Sequence, residues 1–182
     1  MVTSALLTHY FHPTKHNHWI IVPEFNVISD DINEFNCPDY TLFLIEDVYQ
    51  YTINMKTIVE LKSKVGKSWF QLVEQMRYQC YLASDVYDFK FLVIGQKGLE
   101  ICFFKYDITK YIYQNPECFR NFEPLNLHNL QIPQLDELNV KYIECNDNGF
   151  SRVAVIKWNL NDENHAKYID EMFQHIRSKM IN

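Results

Sequence analysis

Three residues have the types and spacing to do chemistry together. Asp39 follows Pro38 at the head of the apolar run CPDYTLFLI (Cys37 to Ile45), and Glu60 and Lys62 sit near the end of the run TIVELKSK (Thr57 to Lys64). A carboxylate inside an apolar strand is costly unless something pairs with it. Residues two apart on a strand project to the same face, so Glu60 and Lys62 point together. Two carboxylates on neighbouring strands, with a backbone carbonyl, suffice for Mg²⁺ or Mn²⁺, which take hard oxygen ligands and keep several waters. Such an ion is what phosphodiester hydrolysis requires, to neutralise phosphate charge and supply a nucleophilic water. Lys62 would then orient that water, help deprotonate it, or stabilise charge on the phosphate.

Further groups surround this trio in the sequence. Lys56, Lys62, Lys64, Lys67 and Arg77 cluster around it, with Trp69 and several tyrosines close by. That pattern suits a surface that tracks phosphates and stacks bases, and equally the solvated face of a strand and a helix. The segment HYFHPTKHNH gathers His9, His12, His16 and His18. Clustered histidines can ligate a transition metal, but with no cysteine beside them and no helical spacing they read first as a polar surface loop.

The elements that must position these groups follow from periodicity. TSALLTHYF reads as an opening helix with Thr3 or Ser4 as N-cap. HWIIVPEFNVI reads as a strand with an edge or a bulge at Pro23. Residues 39–45 and about 48–53 read as two arms of a hairpin or one bent strand, and 56–62 as the next strand. The period then changes, and Trp69, Leu72, Val73, Met76 and Cys80 recur at helical spacing after Gly66 and Ser68. FKFLVIG and LEICFFKYDI are two strands joined by a tight turn. Residues 110–148 are irregular, FSRVAVIKWNL is a further strand, and NDENHAKYIDEMFQHIRSKM closes as an amphipathic helix. The fold class expected is α/β, one domain over 1–182, with a mixed central sheet built on a strand-strand-helix-strand-strand core and flanked by helices. The core spans about 19–107, and a C-terminal strand and helix occupy about 149–181.

Pro38-Asp39, then Glu60-Leu61-Lys62, then a helix bearing Gln71, Gln75 and Gln79 resembles the PD-(D/E)xK, or restriction-endonuclease-like, nuclease superfamily over roughly residues 19 to 107. The resemblance implies a restriction-endonuclease-like fold and a magnesium- or manganese-dependent nuclease. It implies that Asp39 and Glu60 ligate the metal with the carbonyl of Leu61, that Lys62 is catalytic, and that Gln75, with Gln71 beside it, faces the site. Glu24, in VPEF, is the candidate for the further acid that many members carry on the helix before the first strand; here it lies on a strand. Where one branch of the family has a tyrosine four residues after the helix glutamine, this chain has Gln79. Lys64, Lys67, Gln71 and Arg77 are the candidate substrate contacts, and nucleic acid, DNA or RNA, is the expected partner.

Each residue also has a plain structural reading. Asp39 after Pro38 is ordinary turn chemistry; Glu60 and Lys62 can be the wet side of an alternating strand; the glutamines can be the wet side of a helix. A nuclease fold that has lost catalysis and binds protein or nucleic acid, as an effector or inhibitor would, is therefore the competing reading. An unrelated interaction domain, in which Asp39 and Glu60 lie far apart, is a third.

Composition sets the outer bounds. The 182 residues are 47% hydrophobic and 22% charged, with 4 Gly and 6 Pro, an ordinary globular balance. The net charge of −6 excludes a generally basic nucleic-acid coat but not a local basic site. Five scattered cysteines without a C-x-x-C pair read as free thiols of a reducing compartment, cytoplasm or nucleus. The N-terminus has no secretory pattern, and no apolar run is long enough to span a membrane. The C-terminal helix has enough apolar residues for core packing, for a homodimer or for a protein partner.

Overall fold

The computed structural model describes residues 2–12, 18–24, 37–47, 52–66, 68–84, 90–107, 109, 122–125, 140–145 and 151–179. Lys67, His16 and most of 110–148, all singled out from the sequence, lie outside them.

The chain opens with helix α1 (Val2–Tyr10), followed by strands β1 (His18–Pro23), β2 (Tyr40–Asp47) and β3 (Thr52–Lys62). Helix α2 (Trp69–Ser84) leads to β4 (Lys90–Lys97) and β5 (Glu100–Asp107). The rest comprises β6 (Phe122–Pro124), β7 (Val140–Cys145), β8 (Ser151–Ile156), β9 (Trp158–Asn159) and α3 (Glu163–Lys179). Six strands run in the order β1-β2-β3-β4-β5-β6, and β9 adds to β5 beside β6; β7 and β8 form a separate hairpin. Every pairing is antiparallel except β3 with β4, where α2 makes the crossover. The α/β class and the mixed sheet match expectation.

Several boundaries differ from the sequence reading, beginning with β1, which stops at Pro23 and leaves Glu24 in the turn past the strand on which it was expected. Residues 52–53 belong to the same strand as 56–62. A bulge lies where Leu42 pairs with Thr57 but Phe43 pairs with Met55. The extra residue, Lys56, breaks the period of two, so one strand looks like two. At the other end FSRVAVIKWNL divides into β8 and β9 at Lys157, because Ile101 and Glu100 of β5 capture Trp158 and Asn159.

The sheet is apolar on both faces, as a layered α/β arrangement demands. On one face α2 lays Leu72, Val73, Met76 and Cys80 over Ile58, Val93, Cys102 and Phe104. On the other, Leu7 of α1, Phe11 just after it, and Ile169, Met172, Phe173 and Ile176 of α3 pack on Leu42, Val59, Ile94 and Phe103. Helix α2 comes close to the sheet because position 95 is glycine. A β-carbon on Gly95 would sit 2.8 Å from Met76 Cε and 3.0 Å from Cys102 Sγ. The start of α2 is set by Ser68 and Gln71. The Gln71 amide donates to Ser68 Oγ at 3.2 Å, and the Ser68 amide donates to Gln71 Oε1 at 2.8 Å. This reciprocal capping box satisfies two amides that the helix cannot.

Candidate active site

The register of β2 on β3 brings the two carboxylates together. Tyr40 pairs with Val59, so Asp39 arrives beside Glu60 and Leu61. The Leu61 amide donates to Asp39 Oδ2 at 2.6 Å, which fixes the Asp39 carboxylate at the end of β3. The carbonyl of Asp39 in turn accepts the Glu24 amide at 3.1 Å, so the end of β1 is tied to the same point.

Glu60 is 1% exposed, an expensive place for a carboxylate unless donors replace its water. Three do. Lys62 donates to Oε1, Gln75 Nε2 donates to Oε1 at 2.7 Å, and Gln79 Nε2 donates to Oε2 at 3.0 Å. The glutamines reach it because they lie four apart on the face of α2 turned to β3. Burial raises the Glu60 carboxyl above its ordinary value; Lys62 opposes the shift, the Asp39 charge adds to it, and Gln79 opposes it again. Burial and a like charge thus win over the lowering influence of Lys62 and Gln79.

The two glutamines carry a second feature. With their amide nitrogens turned to the carboxylate, Gln75 Oε1 and Gln79 Oε1 are buried acceptors without a partner among the described residues. Unpaired acceptors beside a pair of carboxylates suit a hydrated divalent ion, whose coordinated waters are donors. Asp39 and Glu60 with a main-chain carbonyl fit the short protein ligand set such an ion needs. No group of three or more His, Cys, Asp and Glu side chains comes together for a metal among the described residues.

The remaining sequence candidates divide clearly. Lys62 and Gln75 are in the site, and Gln79, four residues after Gln75 on the same face of α2, belongs with them. Gln71 is exposed and is used by the capping box. Arg77 lies on the opposite flank of α2, where it is 7% exposed and its charge acts on Cys80 and Tyr106, so it faces core rather than substrate. Two residues past Gln75, it sits about 200° around the helix, a rotation that follows from 3.6 residues per turn. Glu24 is exposed and holds a left-handed backbone, φ 46°; it meets Asp39 through the main chain and does not complete a group of three acids. Lys64 is exposed on the turn after β3. His9 and His12 lie at the end of α1, with His12 Nδ1 3.0 Å from the His9 carbonyl, and His18 opens β1; among the described residues they join no metal-binding group.

A neighbouring set was not anticipated. Trp69 Nε1 donates to Glu100 Oε2 at 2.8 Å, Lys157 Nζ lies 3.3 Å from the same oxygen, and that Nζ sits 4.6 Å from the Trp69 ring centroid. Lys157 is thereby held at 5% side-chain exposure and ties the segment between β8 and β9 to the first turn of α2. Only pairing across 57 and 31 residues creates this set, so no local signal announces it. No protein-family model, curated protein or solved structure matches this chain.

Proposed function

We propose that this chain is a metal-dependent nuclease that hydrolyses phosphodiester bonds in DNA or RNA, with a restriction-endonuclease-like core. The observation that carries the reading is the meeting of Asp39 and Glu60 across the β2–β3 pair, with Lys62 on the same carboxylate. Supporting it are an antiparallel β1-β2-β3 sheet, a crossover helix supplying Gln75 and Gln79, and β4 parallel to β3. Asp39, Glu60 and the carbonyl of Leu61 would hold Mg²⁺ or Mn²⁺. When bound, the ion supplies charge neutralisation at the phosphate and a water of lowered pKa.

The chain's own residues perform the rest. The Leu61 amide orients Asp39, and Gln75 and Gln79 orient Glu60, so both carboxylates are positioned before substrate arrives. Lys62 is the cation nearest Glu60; moved from the carboxylate to a phosphate oxygen or to the attacking water, it places positive charge where negative charge develops.

One observation favours a second reading. Both oxygens of Glu60 are already engaged, Oε1 by two donors, the arrangement expected of a nuclease-fold binding module that no longer cleaves. Labelled single- and double-stranded DNA and RNA incubated with Mg²⁺ or Mn²⁺ separate the two. Cleavage by the wild type that is abolished by Asp39→Asn and by Glu60→Ala, with folding intact, establishes the enzyme. Tight binding without cleavage in either metal establishes the module.

A further inference from the structure

The rim of the site is a rigid pair of turns. Ser63–Gly66 closes with the Gly66 amide donating to the Ser63 carbonyl at 3.1 Å. The two-residue turn Gly98–Leu99 between β4 and β5 is docked onto it. The Gly98 amide donates to the Lys62 carbonyl at 2.9 Å, and Lys97 Nζ donates to the Lys64 carbonyl at 3.0 Å. Gly98, at φ 61°, is so close that an added β-carbon would lie 3.0 Å from Lys64 Cβ. The two turns therefore move as one body.

Two aliphatic side chains project from that body. Val65 is 94% exposed and Leu99 44% exposed, two of the four exposed large apolar residues among those described. Turn tips ordinarily take Gly, Asn, Asp or Ser, each for a backbone reason. A β-branched valine there contradicts local preference and buries nothing within the chain, the kind of local inconsistency that marks a functional position. Around the two aliphatics stand Lys64 and Lys97, neither of which is ion-paired to a carboxylate among the described residues. Glu100, the carboxylate that follows Leu99, is engaged by Lys157 and Trp69, so on a chain of net charge −6 these two turns present positive charge that complements a polyanion.

We infer that the Ser63–Gly66 and Gly98–Leu99 turns form a prong that seats in the minor groove of a DNA duplex beside the bond to be cut, Val65 and Leu99 against sugars and base edges and Lys64 on a flanking phosphate. The inference rests on the nuclease reading and narrows its substrate to duplex. A convex aliphatic prong suits a groove, where apolar side chains wedge against base steps. Single strands are held instead on flat aromatic platforms, and Trp69, the aromatic nearest this rim in sequence, is committed to Glu100 and Lys157.

The test is binding of the Glu60→Gln protein, which retains its surface, to a short DNA duplex, the matching RNA duplex and the two single strands, alongside cleavage by the wild type. Adding Val65→Ser is expected to weaken duplex binding about tenfold, the value of one buried aliphatic contact, and to leave single-strand binding unchanged. Adding Lys64→Ala is expected to lower the slope of log affinity against log salt by about one. The loss with Val65→Ser is expected on the DNA duplex and not on the RNA duplex, whose minor groove is wide and shallow; a larger loss on RNA overturns the assignment. Equal affinity with and without Val65, or an equal loss on single strands, overturns the prong while wild-type cleavage keeps the nuclease. Neither binding nor cleavage of any nucleic acid overturns both.

Discussion

Lys62→Met should reveal how strongly the protein depends on charge compensation at Glu60. Glu60 is 1% exposed and Lys62 is 21% exposed, so the substitution strands a buried carboxylate that keeps only Gln75 and Gln79 as donors. Removing one partner of a fully buried pair costs about 3–5 kcal/mol. Discounting for the partly solvated lysine and the two remaining amides gives about 2–3 kcal/mol at neutral pH. Glu60→Gln behaves differently. It removes the charge, and Gln79 can turn its unpartnered Oε1 toward the new amide, so this change should lie within about 1 kcal/mol of wild type. In that background Lys62→Met should cost less than about 1 kcal/mol, a coupling of about 2 kcal/mol in the double-mutant cycle. Urea unfolding followed by tryptophan fluorescence measures all four proteins. The pH dependence has a fixed sign. Because the folded Glu60 value is raised, the folded state keeps a proton that the unfolded chain releases, and stability falls as pH climbs from about 4.3 through the folded value. Lys62 is one of the influences holding that value down, so its loss extends the window upward. The gap between wild type and Lys62→Met should widen with pH and shrink toward the ordinary carboxylate range. A coupling below about 0.5 kcal/mol, the usual error of additivity, or a gap that ignores pH, would show that the carboxylate is not held as described.

Other predictions follow from separate parts of the molecule. Mn²⁺ should raise the melting temperature of the wild type, as any ligand of the folded state does, and Asp39→Asn or Glu60→Ala should remove that rise; thermal scans with and without metal decide it. At Asp107, burial pushes the carboxyl up, but hydrogen bonds from Thr109 and the charge of Lys90 prevail and lower it. That contribution is present above the ordinary Asp value of about 3.9 and is lost as pH falls through the folded value. Thr109→Ala should therefore cost roughly 1 kcal/mol at neutral pH, and the difference from wild type should vanish in acid, as chemical denaturation across pH will show. Ser68→Ala should cost about 1 kcal/mol through loss of the α2 cap and leave the Glu60 cluster in place, so unfolding free energy should fall while metal binding per folded molecule stays the same.

The sequence by itself determined whatever depends on one element's own geometry. Glu60 and Lys62 share a face because strand side chains alternate, and Gln75 and Gln79 share one because a helix turns every 3.6 residues. It also determined that α2 begins just after Ser68, since the reciprocal bonds between Ser68 and Gln71 are local. Tertiary structure decided everything that depends on how one element meets another. Asp39 stands beside Glu60 only because Tyr40 pairs with Val59; a slip of one residue would send its side chain to the opposite face. The bulge at Lys56 obscured the length of β3, because a period of two cannot be read across an inserted residue. Arg77 was a substrate candidate by its charge, yet the way α2 is turned on the sheet points it toward Cys80 and Tyr106. Lys157 reaches Trp69 and Glu100 only after β9 adds to β5. Local spacing is a covalent property of the chain, whereas register and helix orientation are chosen by burying two apolar sheet faces at once, a constraint that no short stretch contains.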